Sequence, residues 1–560
     1  MKKRQTRRQR ILEVDFASNH TEKNIAEPNQ RLRFPQNLTS IAIAIASGVM
    51  IGLAWRDEAL GWMGVLGFGI FLAAHHSSKQ RILTRGLEGW LTGTVAFAIA
   101  CAWLPHTASY LAQTNGWVGL GISVLLWAFM GSQYACFAMI WGVTQGFSKC
   151  SWVAAPAIWV SLERIYPGLF PNSTACLLTG SDSLTQFAEL GGVYLVAMLT
   201  IAMAGFASWT ILLMIRLMQS QAIAGRGIAG WAVSGLVLLS INGWGAARFE
   251  QIKSNFAKTE NVKSLRLGLV QADTQFNVSH ARLIETSRTI KDVDLIIWPE
   301  ASLGNYSTRL VDFRDSKTVF DNSRGDDSRY QPFPNPNAVL LAGGDTWTVE
   351  SDDKNPATCY VSALLIDQQE QLIGQRYKVE LMPFGEQIPL RSIVPFVQKW
   401  LGGERFISPG DSNEPIGSVN GVSIAAVLCC EDMHSELIRN LVNKHADVLV
   451  TIGNGMVFQS ATALEQHFRI AKFRAIENRI PFVRCMSNGV SGLISPSGEM
   501  IYELPKCKDA AAIVTVNIAP RQQTFYSTHG NLLVNMLTVA LLVAMCIGFQ
   551  PGRHREAQLS

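Results

Sequence analysis

Residues 422–436 read VSIAAVLCCEDMHSE, in which an apolar run ends at two adjacent cysteines and two acids. The run over 422–428 predicts a buried strand, and the polar residues after it predict a helix that opens near Glu431. Backbone N–H groups at a helix N-terminus favour a thiolate, so a cysteine there is a candidate nucleophile. Strand alternation does not decide between Cys429 and Cys430, and either could equally be a small buried hydrophobe.

Short apolar strands like this one recur between about residues 262 and 519. VDLIIWPE (293–300), ADVLVTIGN (446–454) and IPFVRCMSNG (480–489) each end in turn residues. In ATALEQHFRIAKFRAIENR (461–479), apolar side chains recur at helical spacing and form one buried stripe. Many strands with interspersed helices predict a layered α/β domain.

Two other strand ends carry reactive groups. Glu300 follows the apolar strand of LIIWPEAS, where partial desolvation raises a carboxylate pKa toward that of a useful base. Lys378 lies among apolar residues in RYKVELMPFGEQIP (376–389), close to Glu386. A fixed positive charge there could stabilise a developing oxyanion. A solvated turn residue and a surface ion pair are the alternative interpretations of Glu300 and Lys378.

The composition indicates a membrane protein. The 560 residues are 48% hydrophobic and 16% charged, against about 25% charged in ordinary soluble domains. The scarcity of charge is concentrated in residues 39–247. The basic leader MKKRQTRRQR precedes apolar spans, so it indicates membrane orientation and not nucleic-acid binding. The ten cysteines show no CxxC or CxxH spacing, which argues against a zinc site.

A membrane span needs about 20 mostly apolar residues. The sequence predicts eight spans, of which the fifth is the shortest. They cover approximately residues 39–55, 59–76, 87–104, 116–142, 151–166, 188–215, 227–246 and 531–549.

The distribution of lysine and arginine predicts the orientation of these spans. Basic residues cluster in the leader, in alternate loops and in the tail (residues 2–10, 79–85, 149, 216–226 and 553–555). Basic loops stay on the cytoplasmic side. Both termini are therefore expected in the cytoplasm, and the domain that follows seven spans is expected on the opposite face.

The WPE, YKxxLMPFGExxP and CCE motifs occur in this order and together resemble the nitrilase (carbon–nitrogen hydrolase) superfamily, whose catalytic set is Glu–Lys–Cys. Joined to several membrane spans, they resemble the apolipoprotein N-acyltransferase family. Further similar segments are LGGVYLV (190–196), QHFRIAKFRAIENRIPFVR (466–484) and TFYSTHGN (524–531).

The resemblance implies a role for each matching residue. Glu300 would be the general base, Lys378 the oxyanion-stabilising cation and Cys429 the nucleophile. The residues that it implies in supporting or substrate-binding roles are Glu386, Glu431, Asn454 and Asn488. It implies no metal and no soluble cofactor.

The resemblance also implies an architecture and a location. A basic leader (1–38) would precede seven spans (39–247), a nitrilase-like αββα sandwich (262–519), a last span (531–549) and a short tail (550–560). The enzyme would lie in a bacterial inner membrane with its catalytic domain in the periplasm. Its substrates would be a phospholipid acyl donor and a diacylglyceryl-lipoprotein acceptor.

Cys430 occupies the position at which the family carries an aromatic residue. This departure motivates two alternative functions. The first is a membrane-bound nitrilase-family amidase or acyltransferase that uses another amine. The second is a non-catalytic nitrilase-like component of a conjugal-transfer or envelope complex.

Overall fold

The computed structural model describes residues 36–547 apart from 77–80, 148–150, 169, 222, 224, 259–262, 273–279, 304–307, 310–336, 349–357, 370, 384, 388–406 and 412–413. Residues 1–35 of the expected leader and the whole expected tail (550–560) therefore lie outside the described residues.

The amino-terminal part is helical, and its apolar faces meet in an aromatic core. The Trp159 ring packs edge-on against Phe68 and Tyr134, with centroids 4.9 and 4.8 Å away. The helices are α1 (Gln36–Arg56), α2 (Gly61–His76), α3 (Ile82–Ala100), α4 (Leu104–Leu111), α5 (Gly116–Phe147), α6 (Ser151–Ile165), α7 (Asp182–Thr185), α8 (Ala188–Met218) and α9 (Gly225–Ala257).

The carboxy-terminal part contains the expected alternation of strands and helices. Its elements are β1 (Ser264–Gln271), α10 (His280–Ser287), β2 (Leu295–Ile297), β3 (Thr308–Arg309), β4 (Val339–Thr348), β5 (Thr358–Ile366), β6 (Leu372–Tyr377), β7 (Gly417–Val419), β8 (Val422–Leu428), α11 (Ser435–Asn443), β9 (Val448–Asn454), α12 (Ala461–Asn478), β10 (Phe482–Ser487), β11 (Gly492–Ile494), β12 (Met500–Glu503), β13 (Ala510–Asn517), α13 (Phe525–His529) and α14 (Leu532–Ile547).

These strands form two sheets that pack face to face. The first has the order β13-β1-β2-β4-β5-β6, with β3 beside β4, and the second has the order β12-β11-β10-β9-β8-β7. Leu267 and Leu341 of one sheet meet Ile424 and Val450 of the other in one buried cluster. α10 covers the outer face of the first sheet, and α11 and α12 cover that of the second. The domain is therefore the expected αββα sandwich.

The loops that carry Glu300, Lys378 and Cys429 lie at one edge of this sandwich. Strands β1, β2 and β4 run parallel, and so do β8, β9 and β10. Strand β6 is antiparallel to β5, which is antiparallel to β4, so β6 also points the same way as β4. Loops that follow parallel strands gather at the same edge of a sheet.

The expected count of eight spans is not confirmed. Among the described helices, α1, α2, α5, α8 and α9 are long and apolar enough to cross a membrane, and α3 with α4 forms a further candidate bent by 72°. α6 has 15 residues and α14 has 16, both fewer than the roughly 20 of an upright span. Several apolar helices are confirmed, and among the described helices six candidates, with the bent pair counted once, are long and apolar enough to span.

The αββα sandwich also caps helices of the amino-terminal part. Arg469 of α12 donates hydrogen bonds to the carbonyls of Trp55 and Arg56 at the end of α1, at 3.0 and 2.7 Å. Gln466 donates to the Trp55 carbonyl and, at 2.9 Å, to the Ala100 carbonyl at the end of α3. The last carbonyls of a helix have no hydrogen-bond partner within the helix. Side chains of α12 therefore supply the donors for the ends of α1 and α3.

A second contact between the domains lies at a break in α8. Gly192 has φ +68°, and a Cβ atom there would lie 2.5 Å from the ring of Tyr526. Only glycine combines this left-handed backbone with so close an approach. The break frees the N–H of Val193, which donates to Glu477 of α12 at 2.9 Å. The similar segments LGGVYLV, AIENR and TFYST therefore meet at one interface.

Candidate active site

The three expected catalytic residues each follow a strand at the same edge of the sandwich: Glu300 after β2, Lys378 after β6 and Cys429 after β8. Lys378 Nζ lies 3.1 Å from Glu300 Oε1 and 2.6 Å from Glu386 Oε1. The Lys378 side chain is only 1% exposed. The structure therefore brings the predicted base, cation and second glutamate into direct contact.

Burial and mutual charge set the protonation of this group. Burial disfavours the Lys378 charge, but the carboxylates of Glu300 and Glu386 outweigh it and hold the pKa of Lys378 well above its ordinary value. Burial raises the pKa of Glu300; the charge of Lys378 opposes this rise and that of Glu386 adds to it. Lys378 thus stays cationic, and Glu300 becomes a stronger base than an exposed glutamate.

Cys429 begins a tight 3₁₀ turn that spans Cys429–Met433, and it has φ +48°. The expected helix is present as α11, but it begins at Ser435 and not near Glu431, because the 3₁₀ turn comes first. The expected lowering of the thiol pKa is wrong. Burial, followed by the negative charge of Glu300, raises the pKa of Cys429 well above its ordinary value, against the attraction of Lys378. Cys429, the expected nucleophile, is therefore a thiol at rest and would need a base.

Gly453 allows the backbone of β9 to approach the backbone of Cys429 closely. A Cβ atom on Gly453 of β9 would lie 3.1 Å from the Cys429 Cα. The Cys429 thiol donates a long hydrogen bond to the carbonyl of Asn454, with Sγ and O 3.9 Å apart. The nucleophile is therefore held against the end of β9.

Asn454 and Asn488 lie at the ends of the neighbouring strands β9 and β10. The backbone N–H of Asn454 donates to Glu300 Oε2 at 3.2 Å, and its side chain accepts from the N–H of Met456 at 3.0 Å. Asn488 has φ +53°, and its carbonyl packs against Gly455. Asn454 therefore orients the base through its backbone. Direct substrate binding by either asparagine stays a prediction.

Glu431 is fully buried and tied to Arg376, a residue that the sequence did not single out. Arg376 Nη1 and Nη2 donate to the two carboxylate oxygens of Glu431 at 2.6 and 3.1 Å. Glu431 also accepts from the backbone N–H groups of Val379, at 2.7 Å, and Leu428, at 2.8 Å. One carboxylate thus connects the loop that begins at Lys378 to the 3₁₀ turn that begins at Cys429, which we call the nucleophile turn. Arg376 pairs with Ala363, which faces the core between the sheets, only because the register of β6 shifts before Gly374, and nothing in the sequence signals that shift.

Replacing Arg376 with methionine is expected to destabilise the catalytic domain strongly. Removing one partner of a buried ion pair costs about 3–5 kcal/mol, because the other charge is left without compensation. The midpoint of thermal unfolding in detergent should fall, and acylation of Cys429 should fall with it. Arg376→Lys keeps the charge but not the two-pronged geometry, so an intermediate loss is expected. An Arg376→Met protein that unfolds at the wild-type temperature would contradict this role.

Asp432, the next residue of the turn, is also buried and paired. His467 Nε2 lies 2.6 Å from Asp432 Oδ1, and Arg484 Nη2 lies 3.5 Å from Asp432 Oδ2. Burial opposes ionisation of Asp432, but these two partners outweigh it and lower its pKa. This cluster fixes the far side of the nucleophile turn.

Cys430 faces away from Asn454 and toward the membrane domain. Its Sγ lies 3.7 Å from the Glu380 carbonyl, and burial raises the pKa of its thiol to about 12. It forms part of the wall of a cavity of about 440 Å³ between the two domains. On the membrane side, the wall includes Trp55, Phe97, Met130, Tyr134, Trp159, Glu163, Arg164 and Tyr194. The membrane side of the cavity is therefore rich in aromatic residues but also carries two charged ones, Glu163 and Arg164.

In the part of the chain that the structure describes, no group of three His, Cys, Asp or Glu side chains is arranged to hold a metal ion. The polar groups of the site are a base, a cation and two thiols. This set suits acyl transfer through a covalent intermediate.

Two family models match the chain in succession. The model of the apolipoprotein N-acyltransferase N-terminal domain matches residues 47–206, and the carbon–nitrogen hydrolase model matches residues 259–526. A curated apolipoprotein N-acyltransferase from Geobacter metallireducens is 23% identical, covering 91% of this chain and 95% of the relative. One from Vibrio cholerae is 24% identical, covering 91% and 96%. The chain belongs to the apolipoprotein N-acyltransferase family.

Membership in this family accounts for both halves of the molecule. The carbon–nitrogen hydrolase match contains Glu300, Lys378 and Cys429, and the other match contains the membrane side of the cavity. Among solved structures, a carbon–nitrogen hydrolase from Helicobacter pylori is 15% identical with a TM-score of 0.33, covering 46% of this chain and 90% of that chain.

Proposed function

We propose that this protein moves an acyl chain from a membrane phospholipid to the α-amino group of a diacylglyceryl-lipoprotein, through a thioester on Cys429. The relatives that cover nine-tenths of the chain carry the name of this activity. The observation that carries the proposal is the contact of Glu300 and Lys378 beside the nucleophile turn, at the edge of a cavity that the membrane domain closes.

In the first half-reaction, Cys429 Sγ attacks the carbonyl carbon of a phospholipid ester. Glu300 accepts the thiol proton, which is necessary because burial keeps the thiol neutral. Lys378 stabilises the negative charge that develops on the carbonyl oxygen. The carbon–oxygen bond then breaks, Glu300 returns the proton to the leaving alkoxide, and a lysophospholipid and a thioester result.

In the second half-reaction, the neutral α-amine of the lipoprotein attacks the thioester carbonyl. Glu300 takes a proton from the attacking nitrogen, and Lys378 again stabilises the tetrahedral oxyanion. The carbon–sulfur bond breaks, and the leaving thiolate of Cys429 regains its proton from Glu300. Each proton that Glu300 accepts is returned within the same half-reaction, so no added cofactor is needed.

The proposed location is the inner membrane of a bacterium, with both termini in the cytoplasm and the catalytic domain in the periplasm. The basic loops on one side of the apolar helices support this orientation. Helix α9, which precedes the sandwich in the chain, has 33 residues. Such a helix is about 50 Å long, more than a membrane core requires, so it can carry the domain clear of the membrane.

Intact mass measurement of protein purified from membranes tests the proposal directly. A mass increase equal to one fatty acyl chain, removed by hydroxylamine and mapped to Cys429, is expected. Adding a diacylated lipopeptide should discharge the adduct and yield an N-acylated peptide. Rapid hydrolysis of short amides with no acyl transfer to the lipopeptide would favour the amidase alternative.

The rate of acylation should depend on pH through Glu300. Glu300 must be ionised to accept a proton, and its pKa is raised, so activity should fall with decreasing pH at values above the ordinary glutamate pKa of about 4.3. Glu386→Gln removes a negative charge that raises this pKa. The acid limb of the pH–rate profile, where the rate falls with decreasing pH, should therefore move to lower pH. The limb is measured from single-turnover acylation rates. The exposed Glu414→Gln substitution makes the same charge change elsewhere and should leave the limb in place; an unmoved limb in Glu386→Gln would contradict the coupling.

A further inference from the structure

The wall of the cavity between the domains includes an acid–base pair, Glu380 and His434. Glu380 Oε2 lies 3.8 Å from His434 Nδ1, which is too far for a direct hydrogen bond. Among the described residues, no lysine or arginine lies within ion-pair distance of Glu380, and neither side chain has a hydrogen-bond partner. The pair therefore has hydrogen-bonding capacity that the described part of the protein does not use.

Both residues are fixed to the nucleophile turn through their backbones. The N–H of Glu380 donates to Glu431 Oε1 at 3.3 Å, and the Glu380 carbonyl lies 3.7 Å from Cys430 Sγ. The N–H of His434, the residue that follows the turn, donates to the Glu431 carbonyl at 3.0 Å. The pair is therefore held beside the turn that would carry the thioester.

His434 is a neutral base at rest. Burial lowers the pKa of its imidazole; the negative charges of Glu380, Glu431 and Asp432 oppose this effect, and the positive charge of Arg474 adds to it. The lowered pKa keeps the ring neutral near pH 7, and a neutral imidazole has a nitrogen that can accept a proton. The carboxylate of Glu380 would then stabilise the imidazolium.

The proposed reaction requires such a base, because the acceptor must lose a proton before it can attack the thioester. An α-amino group has an ordinary pKa of about 7.7–8.0 and is mostly an ammonium ion at neutral pH. The proton that Glu300 takes after the attack returns to the Cys429 thiolate. The first proton of the ammonium must therefore leave by another route.

We propose that Glu380 and His434 bind the α-ammonium group of the acceptor, and that His434 takes its first proton before the amine attacks the thioester. Two acceptor atoms 3.8 Å apart can each lie about 2.9 Å from one ammonium nitrogen. One N–H bond of the ammonium breaks, its electron pair stays on the amine nitrogen, and an N–H bond forms on the imidazole. The imidazolium then loses this proton to water, since the His434 and Glu380 side chains are 30% and 44% exposed. This inference rests on the proposed acyl transfer and concerns only its second half-reaction.

The test measures the two half-reactions separately on full-length protein in detergent. Acylation of Cys429 by phospholipid is followed by intact mass, and the thioester form is then discharged with a diacylated lipopeptide or with hydroxylamine. His434→Gln should lower the maximal rate of discharge onto the lipopeptide about a hundredfold, as expected for loss of a general base. Discharge by hydroxylamine, which is unprotonated at neutral pH, should be unchanged, and so should acylation by phospholipid.

Glu380→Gln should affect binding of the acceptor more than the maximal rate. Loss of a charged hydrogen bond should raise the lipopeptide concentration for half-maximal discharge about tenfold. Glu380→Asp keeps the charge and should recover part of this loss. His445→Gln and Glu414→Gln make the matching changes at exposed residues and should leave both half-reactions unaffected.

An ethanolamine headgroup on the acyl donor also carries an ammonium ion, so the acylation step is measured with phosphatidylethanolamine and with phosphatidylglycerol. Neither variant should change acylation by either phospholipid. If Glu380→Gln weakens acylation by phosphatidylethanolamine alone, the pair binds the donor headgroup and the inference is overturned.

The remaining outcomes separate this inference from the proposed function. Equal losses of discharge with lipopeptide and hydroxylamine would give His434 a merely structural role and overturn the inference. So would wild-type discharge onto the lipopeptide in His434→Gln. Wild-type protein that forms no thioester with any phospholipid would overturn the proposed function, and the inference with it.

Discussion

Cys429→Ala is expected to abolish the acyl adduct and to lower acyl transfer to a diacylated lipopeptide by at least about a thousandfold, since loss of a nucleophile removes the covalent pathway altogether. The measurement is intact mass after incubation with phospholipid, together with the initial rate of lipopeptide acylation. The thermal midpoint should hardly change, because cysteine and alanine are both small and, among the described residues, Cys429 makes one long hydrogen bond.

Cys430→Ala is the matched control for this experiment. Both thiols are buried next to each other, yet only Cys429 faces the end of β9, where Glu300 is held by Asn454. Cys430→Ala should therefore keep the adduct on Cys429. An adduct that survives Cys429→Ala and disappears in Cys430→Ala would reverse the assignment of the two thiols.

Lys378→Met is expected to lower the rate of Cys429 acylation by about a hundredfold to a thousandfold, the usual effect of removing one oxyanion-stabilising group. It should also destabilise the domain, because Glu300 and Glu386 would then face each other without the cation between them. Without that cation, the pKa of Glu300 should rise further, and the acid limb of the pH profile should move to higher pH.

Single-turnover acylation across pH separates these effects. Even at a pH where Glu300 is ionised, Lys378→Met should remain slow, because the oxyanion has lost its counter-charge. Lys506→Met removes a half-exposed lysine that is paired with Glu465 and Glu503, and should leave the acylation rate unchanged. If Lys378→Met acylates at the wild-type rate at pH values above the acid limb of its pH profile, Lys378 does not stabilise the oxyanion.

The sequence predicted those parts of the fold that depend on periodicity. Strands β2, β8, β9 and β10 occur where apolar runs end in turn residues, and α12 occurs over the predicted stripe. The spans were harder to predict, because hydropathy does not show where a helix bends. The bend between α3 and α4 lies just before Pro105, in the first turn of α4, and α6 ends after 15 residues.

The contact between Glu300 and Lys378 beside Cys429 could be expected, because three strand ends carried unusual residues in the order of the family motifs. The protonation of Cys429 could not, since the prediction assumed a helix N-terminus and the chain forms a 3₁₀ turn in a buried position. Arg376 was missed for a related reason. A charged residue in a strand suggests exposure, and only the three-dimensional contact with Glu431 shows that it is fully buried.

The contacts of α12 with the ends of α1 and α3 set an order for biosynthesis. The carbonyls of Trp55, Arg56 and Ala100 are made early, whereas Gln466 and Arg469 are made more than 350 residues later. Until then, water or lipid headgroups must satisfy those carbonyls. The amino-terminal helices can enter the membrane first, but their ends reach the final arrangement only when the carboxy-terminal part has folded. Truncation before residue 466 should therefore leave an incompletely assembled membrane domain. Helix α12 is thus required both for assembly of the amino-terminal helices and for the structure of the α/β domain.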